Sequence, residues 1–343
     1  MSNLTTELVE GVELSGEWTF GRWLEEWLTL CRIRGLRQTT IEGYRRVIDL
    51  YIAPSLSDAV LGDIRPRQLN ALYAQLLTSG RRNSSGGLSP RTVRFAHTVV
   101  NRALADAVKH GMIDRNPAAA ADPPSRRASR PPAFRTWTPA ELRRFLVASR
   151  SDPWYPALYL AATTGLRRGE LLGLRWGDLD LEAAELQVVQ AVVQIGSEVE
   201  LSEPKTDSSR RRVALDRETA DVLRSHLRAS EARAGSDRLE ATSLVFPGRR
   251  GGPMNPELFS GRFRRLVKRS GLPTIRFHDL RHSHASHALA AGVHPKVVSE
   301  RLGHTSVVIT LDIYSHVLPT LQHDAAETVA ALLAESGSTK PDG

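Results

Sequence analysis

Cysteine is almost missing from this chain: Cys31 is the single one in 343 residues. That excludes an internal disulfide framework and fits a reducing compartment. No apolar run approaches the roughly 20 residues that a membrane-spanning helix needs. The first 17 residues hold four Glu and no Lys or Arg, the reverse of a secretory signal. A cytoplasmic, soluble protein is therefore expected. Lysine is also scarce, supplying only five of the 46 basic residues. Arginine carries the net charge of +8 and the pI near 10.0, and its planar fork suits phosphate oxygens. A compositional bias toward Arg and Ala explains much of that excess. No Gly-rich nucleotide loop of the GxxxxGK[ST] type occurs, and no carboxylate group is spaced to hold paired Mg²⁺ ions.

Four helical patterns follow the acidic leader (1–17). The first runs from Thr19 to about Arg34 with Trp23, Trp27 and Leu30 on one stripe. The second starts at Gln38 and the third follows Pro66. The fourth opens at Ser89-Pro90, a cap residue with proline at the first helical position. Residues 18–116 thus read as a helical domain. Residues 117–136 read as a linker rich in Pro and Arg, because proline removes helix donors and favours extended chain. From 137 to 335 helices alternate with strand-like ELQVVQAVVQ, VELSEP and RRVAL. This predicts a mainly helical second domain with one small antiparallel sheet, followed by a flexible tail at 336–343. No internal repeat is visible.

Five segments carry residue types suited to one reaction on a phosphodiester. TTGLRRGEL puts Arg167 just after a Thr-Gly turn at a helix start, where a helix end can aim it at a phosphate. Alone, it reads better as a surface partner of Glu170 in a salt bridge. EPKTDSSRRRV puts Lys205 at a hairpin; unlike arginine, lysine can surrender a proton and act as general acid. HDLRH sets His278 and Arg281 three apart, on one helical face. Arg281 can clamp a phosphate oxygen while His278 exchanges protons near neutral pH. Asp279 between them reads as a helix cap. His282, His284 and His287 invite a zinc reading, but neither a second cysteine nor a carboxylate cluster supports it. No metal or other cofactor is expected. RLGHTS supplies His304 after a glycine at a helix end, and Tyr314 follows ten residues later as a hydroxyl nucleophile.

Together these segments, in this order, resemble the tyrosine recombinase (phage integrase) family from about Trp18 to Glu335. TGLRRGEL resembles the first arginine box, HDLRH the His-x-x-Arg box, LGH the second histidine, and the segment ending at Tyr314 the nucleophile. Lys205 stands where the family places its β-hairpin lysine. The helices before residue 116 resemble the family's SAM-like core-binding domain.

The resemblance implies a fold and a chemistry. Tyr314 attacks the scissile phosphate to give a 3′-phosphotyrosyl link, and Lys205 protonates the leaving oxygen. Arg167, Arg281 and His304 stabilise the transition state, and His278 accepts the tyrosine proton. It implies partners too: double-stranded core or attachment sites, four protomers around a Holliday junction, and an accessory bending or directionality protein. Leu321 to Leu333 would form the helix exchanged between protomers. A mobile-element integrase acting in the cytoplasm on nucleoid DNA fits best, with Arg45, Arg91, Arg94, Arg126 and Arg127 as candidate DNA contacts. A solvated helix face explains the first three equally well. The short acidic leader argues against an arm-site-binding domain. Alternatives are a chromosome-dimer-resolving recombinase, a type IB topoisomerase, and a non-catalytic DNA-binding regulator.

Overall fold

The structure, a computed structural model, describes residues 18–82, 85–130, 134–203, 210–235, 239–314, 326–327, 329–331 and 333. The chain divides into two compact units, through Ala133 and from Phe134 onward.

The first unit is all helical. Helix α1 (Phe20–Ile33) begins where Thr19 Oγ1 accepts from the Arg22 amide, and its apolar stripe buries Trp23 and Trp27 with Cys31. Helix α2 (Gln38–Val47) continues through a π turn at Ile48–Ile52 into the short α3 (Ala53–Leu56). Pro54 explains the wide turn, since it has no amide for the Leu50 carbonyl and its ring would collide there. Helices α4 (Pro66–Ser79) and α5 (Pro90–Lys109) complete the unit, each starting at a proline. Buried Asp106 on α5 accepts from Trp27 Nε1 at 2.8 Å and from Arg34 Nη1 at 2.7 Å, pinning α1 to α5.

The linker region expected from residue 117 does not open there. Pro117–Ala120 form a 3-10 turn with Ala118 buried in the helical core. Asn116 holds the turn, since its Oδ1 accepts from the Ala118 amide and its Nδ2 donates to the Asn101 carbonyl.

The second unit packs helices around two small sheets. Helix α6 (Pro139–Ala148) is closed by reciprocal bonds between Thr138 and Glu141. Helix α7 (Tyr155–Thr164) is apolar on all sides and buried, as a central helix must be. It ends at Gly165 in the left-handed conformation, and the short α8 (Arg168–Gly173) follows. Strands β1 (Leu179–Asp180), β2 (Glu185–Val188) and β5 (Arg211–Ala214) form one antiparallel sheet in the order β1-β2-β5, with Leu186 opposite Val213. Strands β3 (Ala191–Ile195) and β4 (Glu198–Ser202) form a separate hairpin. The single sheet expected from sequence is thus two. Packing against α8 turns β3 away: a Cβ on Gly173 would lie 3.0 Å from the Ala191 Cα.

Helices α9 (Arg217–Ala234), α10 (Pro256–Ser270), α11 (Phe277–Ala290), α12 (Pro295–Leu302) and α13 (Val307–Tyr314) follow. Trp137, Phe145, Phe259, Phe263 and Phe277 fill the core. Trp137 donates to the Pro273 carbonyl at 2.8 Å, and its own carbonyl is 2.8 Å from His287 Nε2. Among the described residues, no helix is long and apolar enough to cross a membrane.

Candidate phosphate-binding site

The C-terminal end of α12 is where the sequence-predicted residues meet. Three successive backbone carbonyls, those of Arg301, Leu302 and Gly303, each accept from a different arginine. Arg211 Nε reaches Arg301 O at 2.8 Å, Arg281 Nη2 reaches Leu302 O at 2.7 Å, and Arg167 Nη2 reaches Gly303 O at 2.8 Å. A helix C-terminus carries unpaired carbonyls and partial negative charge, so guanidiniums are suited to it. Arg281 also donates to Gly165 O at 2.8 Å, joining the end of α7 to the end of α12, and it is only 3% exposed. His304 follows directly.

Arg167 is the Ncap residue of α8, and its amide and Nη1 both donate to Glu170. The surface pair that the sequence permits is in fact half interior. Glu170 is 5% exposed and also accepts two bonds from Arg211, at 3.0 and 2.8 Å. Burial alone would raise its pKa, but the bonds and charge of Arg211 and the charge of Arg167 outweigh this and hold it down at about 2. A depressed carboxylate stabilises the fold above its unfolded value, near 4.5, and that contribution disappears as pH falls toward 2. We expect the wild type to lose about 3 kcal/mol over that window relative to Glu170→Gln, read from urea unfolding at stepped pH. Parallel curves for the two proteins would refute it.

Neutral imidazoles border the arginines. His304 is pushed down to about 4 by burial and then by the charges of Arg281 and Arg167. Its Nδ1 lies 2.8 Å from Thr310 Oγ1 on α13, which leaves Nε2 as the nitrogen for a ligand. His278 is lowered by burial first and then by Arg281. His282 meets His278 edge to face at 5.1 Å, stacks on Phe134 at 4.1 Å, and is pushed down to about 4, mainly by burial. His284 is held at about 3 by burial, with Nε2 enclosed and unpartnered. Asp279 is the expected cap, accepting from the Arg276 amide at 2.7 Å. Among the described residues, no three of His, Cys, Asp or Glu are grouped to hold a metal ion.

Gly303 must be glycine here. Its φ is +67°, and a Cβ would lie 2.9 Å from Arg211 Nη1. Gly303→Ala should cost about 1–2 kcal/mol for the left-handed backbone alone, measured by urea unfolding. A variant as stable as wild type would show that this turn relaxes.

Arg167, His278, Arg281 and His304 are therefore brought together. Lys205 lies outside the described residues, as do the side chain of Tyr314 and most of Leu321 to Leu333; the Tyr314 backbone ends α13. The DNA-contact candidates divide. Arg91, Arg126 and Arg127 are exposed, whereas Arg45 forks onto Glu25 at 2.9 and 2.7 Å and Arg94 donates to Pro124 O. Sequence reasoning missed Arg211 and Thr310. The only available signal for Arg211 was its place in the alternation of RRRVAL.

Comparison with known proteins adds identity to this geometry. Residues 136–320, more than half of the chain, match the phage integrase family, and residues 19–77 match the phage integrase N-terminal SAM-like domain. Tyrosine recombinase XerC of Xylella fastidiosa is 32% identical over 83% of this chain and 88% of its own length. The ICEBs1 integrase of Bacillus subtilis is 30% identical over 72% and 67%. In structure, the Tn1549 transposon integrase bound to transposon right end DNA superposes with a TM-score of 0.72 at 23% identity, covering 91% of this chain and all of that one. A lambda integrase tetramer bound to a Holliday junction gives 0.63 at 21% identity, covering 90% and 84%. The chain belongs to the phage integrase family, and it is a tyrosine-type recombinase, an enzyme that breaks and rejoins DNA without metal or ATP.

Proposed function

We propose that this recombinase integrates and excises a mobile element, with the α12 terminus as its scissile-phosphate pocket. The observation that carries the assignment is the convergence of Arg167, Arg281 and His304 on one helix end. Each holds part of its donor set on fixed backbone or Thr310, so the remainder is preorganised toward an incoming anion. Tyr314 is the nucleophile. Its oxygen attacks the phosphorus, the 5′-oxygen leaves with a proton from Lys205, and the 3′-phosphotyrosyl bond retains the energy of the broken one. His278 takes the tyrosine proton, consistent with an imidazole kept neutral by burial. Attack by the partner strand's 5′-hydroxyl reverses the step and reseals the duplex.

Four protomers on two core sites would exchange strands in pairs. The likeness to an integrase solved as a tetramer on a Holliday junction supports that assembly. An accessory bending or directionality protein would set the direction of the reaction, and the bacterial nucleoid is where such DNA is met. The B. subtilis integrase favours the mobile-element role. The XerC relative supports a second reading, resolution of chromosome dimers.

The test uses nicked duplexes tiled across the DNA flanking the protein's own gene, in EDTA. A denaturation-resistant protein–DNA adduct at one site is the expected result. Tight binding without any adduct would overturn the assignment.

A further inference from the structure

We infer that Arg211 is a positioning residue of this site, which shares Glu170 with Arg167 and secures the turn carrying His304. The inference rests on the proposed reading of the pocket. Four donors saturate the Glu170 carboxylate. Oε1 accepts from Arg167 Nη1 at 2.7 Å and Arg211 Nη1 at 3.0 Å, while Oε2 accepts from the Arg167 amide and Arg211 Nη2, both at 2.8 Å. The two arginines differ in exposure. The Arg211 side chain is 7% exposed and that of Arg167 38%, so one lies behind the carboxylate and the other at the surface where DNA arrives.

That arrangement determines how much of the carboxylate's field Arg167 feels. With Arg211 in place, two guanidiniums divide one negative charge. Without it, Arg167 is the only cation on Glu170 among the described residues. The whole carboxylate charge then pulls the Arg167 fork inward and opposes a phosphate, strongly so in a buried setting. Arg211 has a second grip, since Nε holds Arg301 O at 2.8 Å and its guanidinium packs beneath Gly303. The strand β5 thereby fixes the backbone one residue before His304.

The experiment compares wild type, Arg211→Met, and the double variant Arg211→Met with Glu170→Gln, each first shown to be folded by circular dichroism. One readout is the single-turnover rate of adduct formation on the tiled nicked duplexes. The other needs no DNA site: the rise in melting temperature on adding inorganic phosphate. Arg211→Met should slow adduct formation by about 10²-fold, the scale of a displaced reacting group, and lose the phosphate-dependent rise. Removing the carboxylate as well should recover part of both, because Arg167 is then released while the grip on Arg301 O stays lost.

An arginine that merely filled space would behave oppositely, since a second substitution in the same pocket would add to the loss. A double variant no faster than Arg211→Met, or an Arg211→Met protein at wild-type rate, overturns the inference. If Arg211→Met does not fold, the double variant, which removes both buried charges, is decisive against wild type. If wild type forms no adduct on any duplex, the functional reading fails, and the phosphate readout still decides the role of Arg211.

Discussion

Deleting one oxygen atom, in Tyr314→Phe, should abolish the covalent protein–DNA adduct while leaving DNA affinity as it was. Phenylalanine keeps the ring and cannot attack phosphorus, so the loss is of a bond-forming atom, not of packing. The control is internal. Gel shifts across a salt series should overlay for the two proteins, both falling steeply as salt rises because phosphate contacts dominate binding. A denaturing gel should then separate them completely. An adduct of equal yield in the variant would mean that another residue of this chain is the nucleophile. Equal affinity with no adduct, by contrast, would also establish that binding and cleavage are separable in this enzyme.

Arg281→Lys should come next in size, with single-turnover cleavage reduced by about 10²–10³-fold, as for removal of a preorganised donor to a developing oxyanion. The conservative appearance of the change is misleading. Arg281 bridges two backbone oxygens from different helices, Gly165 O at 2.8 Å and Leu302 O at 2.7 Å, with its two terminal nitrogens. Lysine offers one nitrogen in place of the planar fork whose two ends reach them separately. It is also a more strongly hydrated charge, held here at a position 3% exposed. The ends of α7 and α12 would lose their common strut, and the phosphate clamp would lose its geometry. A Lys variant that cleaves within about threefold of wild type would show that the charge suffices and the fork does not matter.

The helices were legible because an apolar stripe at helical spacing leaves its mark within a dozen residues. Trp23 and Trp27 on α1, and Ser89 capping α5 through the Thr92 amide, stand where the pattern put them. The chemical residues were legible for another reason. Arg167, His278, Arg281 and His304 each lie beside a glycine turn or helix start, and their order along the chain is distinctive. Arg211 was hidden because its partners are distant: Glu170 stands 41 residues away and Arg301 90. In a local window it is one of three adjacent arginines. The linker was misread at its start since Pro117 suggests extended chain, whereas the Asn116 cap folds that proline into a turn. The second sheet was invisible because periodicity identifies strands without saying which of them pair.

The row of carbonyls at Arg301, Leu302 and Gly303 has a consequence for how this protein can vary. All three acceptors are main-chain atoms, which every amino acid supplies. The grip of Arg211, Arg281 and Arg167 therefore reads the phase of α12 and not its composition. Exchanging a residue within the helix leaves each oxygen at its post. Inserting or deleting a single one turns the helix end by about 100° and presents each arginine with the wrong carbonyl, or with none. Between Pro295 and Leu302, short of the glycine that must follow, the placing of these oxygens thus constrains this enzyme in length more than in spelling.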